Sequence, residues 1–182
     1  MQWAEIETNS LPDQARVMWR LIESETGDPR HRTVLAELYK RGRVPARDVP
    51  ALGAAVQRFV QTHIRYLREH PETYATPSRT LAWQAGDCDD QAMVVCALLR
   101  GARVPCRLVF VGTDKGKGKG GPIKPQHVYT EAELTPGQWT ALETVRAVPP
   151  GWNALDAWGK RGWKTGVYRY GDAPSMEGLE SG

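Results

Sequence analysis

The sequence predicts an α+β fold, with helices first and an antiparallel sheet after them. Three observations lead there. Apolar residues recur at helical spacing through the first third of the chain. One run, Gln91 to Leu99, is too apolar for a surface helix and suits a helix buried in a domain centre. Beyond Gly101 the apolar stretches become short, β-branched and bounded by Pro and Gly.

A chain of 182 residues is most simply one compact domain with room for a real core. Within it, residues 1–50 read as a helical segment, 51–148 as the core and 149–182 as a Trp- and Gly-rich extension. Apolar residues at 41% and charged residues at 25% are ordinary for a soluble globular protein. A net charge of +3 is too small to argue for nucleic acid. No apolar stretch reaches membrane-spanning length. Met1-Gln2-Trp3-Ala4-Glu5 has no basic or apolar leader pattern, so no signal peptide is expected. Three cysteines without paired spacing argue against a disulfide framework and fit a reducing, cytoplasmic interior.

In order, Ser10 caps a first helix with Pro12 in its first turn and Leu11, Ala15, Met18 and Ile22 on one face, ended by Gly27. Asp28-Pro29 opens a second helix, with Leu35, Leu38 and Tyr39 apolar and Gly42 as its stop. A third runs from about Pro50 to His70, carrying Leu52, Val56, Phe59, Val60, Ile64 and Leu67 at helical spacing. His63 reads as a core-edge residue, and His31 and His70 as loop residues without a role. Tyr74 to Ala85 reads as irregular chain anchored by Leu81 and Trp83. Strands are expected at Pro105–Gly112, His127–Leu134 and Gln138–Thr144, the last two joined by a hairpin at Thr135-Pro136-Gly137. The stretch from Thr113 to Gln126, rich in Gly and Lys, reads as a solvated loop or a positive flap. No aromatic interleaves its lysines, so base stacking is not suggested. The tail, with Trp152, Trp158 and Trp163, is expected to wrap the domain or face a partner, with 176–182 disordered.

The chemistry gathers at Gly86-Asp87-Cys88-Asp89-Asp90. Asp87 reads as an N-cap and Cys88 as a first-turn residue, where unpaired N–H groups and the helix dipole favour a thiolate. A nucleophilic cysteine needs a base, and the base needs an orienting acceptor. His127, starting one strand, and Glu143, ending the next, are placed to supply them. The Cys88 N–H is a natural oxyanion donor, with Trp83 or Gln84 as a second donor or simply packing and solvated residues. Asp90 reads as helix-capping charge or a contact to a substrate amine. A calcium loop is excluded by the spacing of Asp87, Asp89 and Asp90. Cys88, Cys96, Cys106 and His127 lack zinc-ligand pairing, and Cys96 and Cys106 read as core. No cofactor or metal is expected.

Gly86-Asp87-Cys88-Asp89-Asp90, His127-Val128-Tyr129-Thr130-Glu131, and Trp139 with Leu142-Glu143-Thr144 resemble the motifs of the transglutaminase-like superfamily. The resemblance implies a papain-like fold and a triad in the order Cys, His, Asp, with Cys88 as nucleophile and His127 as base. Glu143 stands where the family usually has Asp. Ile64-Arg65-Tyr66 and Thr76-Pro77-Ser78-Arg79-Thr80-Leu81 are similar to the small members found in tailed phages and prophages. The resemblance implies amide-bond chemistry through an acyl-enzyme on a protein or peptide. Peptide or isopeptide hydrolysis comes first and transamidation second. A non-catalytic virion or assembly module on the same fold is the third reading.

Overall fold

The structure, a computed structural model, describes residues 10–41, 44–68, 73–114 and 124–172. Six helices and six strands follow in the order α1 (Leu11–Ser24), α2 (Pro29–Arg41), α3 (Val49–His63), β1 (Arg65–Tyr66), α4 (Pro77–Trp83), β2 (Ala85–Gly86), α5 (Cys88–Gly101), β3 (Cys106–Thr113), β4 (His127–Thr135), β5 (Gln138–Leu142), α6 (Ala154–Gly159) and β6 (Thr165–Gly171). Helices come first and an antiparallel sheet follows, as the sequence pattern requires.

α5 is the centre. Every residue from Asp89 to Leu99 is buried, so its apolar run needs partners on all sides. The helices α1 to α4 supply one set and the strands β3 and β4 the other. Asp87 caps α5, its side chain accepting the Asp89 and Asp90 N–H groups. Ser10 and Asp48 cap α1 and α3 in the same way. Cys96 and Cys106 lie in the core at 0% exposure.

The main sheet runs β5-β4-β3-β6, with each neighbouring pair antiparallel. On β4, Val128, Thr130, Ala132 and Leu134 face α5, and the Thr130 hydroxyl donates to the Ala92 carbonyl at 2.9 Å. The opposite face carries Val109, Val111, Tyr129 and Ala141, covered by Trp152, Leu155 and Trp158 around α6. The Trp-rich tail therefore closes the back of the sheet and adds its fourth strand. Thr165 to Gly171 is a strand that the sequence reading left within the tail, although Val167, Tyr168 and Tyr170 are β-formers between two glycines.

Four further expectations are corrected. α3 stops at His63, not His70, because the chain turns to pair with β2: Arg65 N–H donates to the Gln84 carbonyl and Leu67 N–H to the Gly86 carbonyl. Leu67 is accordingly exposed, and the expected helix end at His70 lies outside the described residues. Pro77–Trp83 is helical, closed by Gln84 in the left-handed region at φ 54°. Trp83 does not anchor it: Pro77, Ser78 and Thr80 are its buried residues, and Trp83 is 52% exposed. His31 is no loop residue. It sits in α2, 1% exposed. The Gly42 stop, most of the Gly–Lys stretch (115–123) and the 173–182 tail also lie outside the described residues.

Candidate active site

Cys88 opens α5 because Asp87 caps the helix immediately before it. His127 opens β4, paired with Val111 of β3. Glu143 follows β5, whose last paired residue is Leu142 opposite Thr130. The ends bearing His127 and Glu143 meet at one edge of the sheet. His127 Nε2 lies 2.6 Å from Glu143 Oε2, and Glu143 Oε1 accepts the Val145 N–H at 2.9 Å. The carboxylate is 1% exposed, so it is held in place and screened from water. With Nε2 committed to Glu143, Nδ1 is the nitrogen left for proton transfer. Cys88 adjoins the same strand start: the backbone N–H of Val128, the residue after His127, is close enough to the sulfur to favour its thiolate.

Glu143 leaves the sheet for a specific reason. Its carbonyl is taken by Gln57 Nε2 at 2.7 Å and Gln61 Nε2 at 2.9 Å, both from α3. The same amides reach the Val148 carbonyl at 3.0 and 3.1 Å, and Gln61 also reaches that of Arg146 at 2.8 Å. Two glutamines one turn apart thus pin the segment bearing the acid, so the ladder ends at Leu142 instead of Thr144. Sequence reading missed both. The available signal was Gln57, a polar residue on the buried stripe of Leu52, Val56 and Val60.

The electrostatics of Cys88 correct the sequence expectation. Burial is the largest influence and pushes the thiol far up; the carboxylates of Asp89 and Asp87 push the same way, and only the Val128 N–H opposes them. The sulfur itself sits 3.5 Å from Asp89 Oδ1. The helix terminus does not win here because the sulfur is buried, and the first-turn charges that suit the dipole are anions that add to that penalty. The isolated thiol is therefore neutral, and a thiolate needs an adjacent cation to form.

The remaining site candidates separate. Asp90 is turned inward, 1% exposed, its Oδ1 accepting the Ala75 N–H at 3.0 Å, so it ties the chain before α4 to α5 instead of meeting a substrate amine. Trp83 and Gln84 are exposed at the end of α4, with the Arg79 guanidinium 4.0 Å from the Trp83 ring. The Cys88 N–H has no acceptor among the described residues. Ligand atoms of Asp87, Cys88 and Asp89 lie within 4.8 Å of one another, the sole such group among the described residues; a cation there would occupy the thiol itself.

A family model described as the transglutaminase-like superfamily matches residues 49–144, from the start of α3 to just past Glu143. No curated protein matches the chain. Among solved structures, a candidate protease from Parabacteroides distasonis is similar over 91% of this chain and 30% of its own, with 12% identity and a TM-score of 0.58. A candidate cysteine protease from Cytophaga hutchinsonii is similar over 81% of this chain and 52% of its own, with 18% identity and a TM-score of 0.48. The chain thus spans about a third to a half of the length of these two proteins. The first likeness is one of fold. Among the described residues, no helix is long and apolar enough to cross a membrane.

Proposed function

Because the chain belongs to the transglutaminase-like superfamily, we propose that it is a cysteine-dependent enzyme that forms an acyl-enzyme on Cys88, with His127 as base and Glu143 as the group that positions it. The observation that carries this reading is the 2.6 Å contact between His127 Nε2 and a fully buried Glu143 carboxylate, beside the strand start that touches the cysteine.

The sulfur attacks the carbonyl carbon of an amide, and its proton passes to His127 Nδ1. The imidazolium keeps its Nε2–H on Glu143, which stabilises the charge. The Cys88 N–H, unpartnered at the helix start, donates to the developing oxyanion. The C–N bond then breaks, and the proton on Nδ1 goes to the leaving amine. Water, activated by the same imidazole, attacks the thioester and releases the acid. Hydrolysis of a peptide or isopeptide bond is the leading reaction. Transamidation is the second, favoured by Asp87 and Asp89, whose carboxylates beside the sulfur attract an ammonium group.

The raised thiol makes the test sharp. With burial and two carboxylates against it, Cys88 ionises only as an ion pair with imidazolium. Iodoacetamide should therefore alkylate wild-type Cys88 at neutral pH and His127→Ala at least tenfold more slowly. Equal rates in the two proteins would refute the Cys–His pair and favour a non-catalytic module on this fold.

A further inference from the structure

Four large hydrophobic side chains stand exposed among the described residues, and three of them, Tyr66 (46%), Leu67 (47%) and Trp83 (52%), flank Cys88 in the chain paths that enter the site. Tyr66 pairs with Gly86, two residues before Cys88, and Trp83 ends the helix that leads into β2. Partial burial, and after it the nearby Cys88 site with Asp87 and Asp89, raises the Tyr66 hydroxyl above the ordinary tyrosine value. Side chains alternate along the extended chain, so Tyr66 and Arg68 share one face and Arg65 and Leu67 the other; large apolar side chains left in water beside a reactive site mark a recognition surface.

The backbone there is open as well. In the parallel β1–β2 ladder, Arg65 N–H and Leu67 N–H point at β2. By alternation, the N–H and C=O of Tyr66 point to the outer edge, where no described residue takes them. A free strand edge is a template for an extended peptide. Charge narrows the choice further. Arg65 and Arg68 are exposed beside Tyr66 and have no ion-pair partner among the described residues, whereas the acids Asp87 and Asp89 sit inward at the thiol.

We propose that Tyr66 and Trp83, edged by Arg65 and Arg68, select the acyl donor, an extended peptide segment that carries a large apolar side chain next to an acidic one. The inference rests on Cys88 being the nucleophile and names the substrate class of that site. The peptide main chain pairs with Tyr66, its apolar side chain packs on Tyr66 and Trp83, and its carboxylate meets the arginines.

Affinity-directed alkylation tests this without knowledge of the scissile bond. Three chloromethyl ketones are compared on the full chain: acetyl-Glu-Phe-Gly, acetyl-Lys-Phe-Gly and acetyl-Glu-Ala-Gly. Each rate is divided by the iodoacetamide rate of the same protein. The Glu-Phe-Gly probe should label Cys88 at least tenfold faster than either other probe. Trp83→Ala and Tyr66→Ala should remove the Phe-over-Ala advantage, and the Arg65→Glu, Arg68→Glu double variant should reverse the Glu-over-Lys preference. Trp83 and the two arginines are exposed, so those variants remain informative if Tyr66→Ala folds poorly. Equal rates for the three probes, a preference for the Lys probe, or preferences untouched by the substitutions would overturn the assignment. Failure of the nucleophile reading is separate: it shows as an iodoacetamide rate that ignores His127→Ala.

Discussion

Glu143→Gln isolates what the buried acid does, because glutamine keeps the length and shape and changes only the donor count. Glu143 offers two acceptor oxygens and both are used, one by His127 and one by the Val145 N–H. Glutamine has one acceptor and one donor nitrogen. If its oxygen faces Val145, the amide N–H₂ confronts His127 Nε2, which must then become the acceptor. The ring proton moves to Nδ1, and the base can no longer take a proton from the thiol. If the oxygen faces His127, two donors confront each other at Val145. An orphaned buried donor costs about 1–3 kcal/mol of stability. Loss of a charge-assisted hydrogen bond, about 1.5–3 kcal/mol, corresponds to a roughly 10- to 150-fold fall in rate. The assay is the second-order rate of iodoacetamide labelling at Cys88, read by mass spectrometry, with urea unfolding in parallel. Cys96 and Cys106 are fully buried and stay silent. A Glu143→Gln protein within twofold of wild type in rate, and equal to it in stability, would refute the positioning role.

Three further outcomes follow from the same structure. Gly86→Ala should destabilise by about 1–3 kcal/mol in a denaturant melt, because its Cβ would fall 2.7 Å from Asp90 Cβ and 2.9 Å from Asp90 Oδ2 and push the Asp90–Ala75 tie apart. Asp89→Asn removes one of the carboxylates that raise the thiol, so the Cys88 alkylation profile should shift to lower pH and the rate at fixed neutral pH should rise. His31 is buried with neither ring nitrogen hydrogen-bonded among the described residues, and burial lowers its pKa below the ordinary value of 6.5 although the Glu25 carboxylate stands 3.8 Å from Nε2. The unfolded chain then binds the extra proton first, so stability should fall as pH drops below 6.5 in a series of urea melts. His31→Leu should flatten that slope.

How much was legible in the sequence follows from how local each signal is. The caps at Ser10, Asp87 and the apolar stripes of α1, α2 and α5 are encoded within a few residues, and they form as expected. The hairpin between β4 and β5 is equally local, its turn held by Gly137 at φ 75°. What the sequence hid depends on distant partners. α3 stops early because β2, some twenty residues on, claims the chain after His63. β6 forms because β3 needs a neighbour along its open edge. At the site, Cys88, His127 and Glu143 are visible as residue types in a suggestive order. The sign of the influence on the thiol was not visible, because burial, which sets it, exists only once the chain has folded, with Asp89 3.5 Å from the sulfur adding to it. Nor was the pinning by Gln57 and Gln61, which crosses more than eighty residues.

The split of the site between α5 and β4 sets an order of events during synthesis. Cys88 emerges about 40 residues ahead of His127, roughly 2–8 s at ribosomal speeds of about 5–20 residues per second. Glu143 and the back-face cover of Trp152 and Trp158 arrive later still. Through that interval the cysteine is an unassisted thiol with no imidazole beside it. The growing polypeptide then carries only an ordinary exposed thiol, and the proposed pairing of Cys88 with His127 can assemble only once β4 and the segment bearing Glu143 have docked.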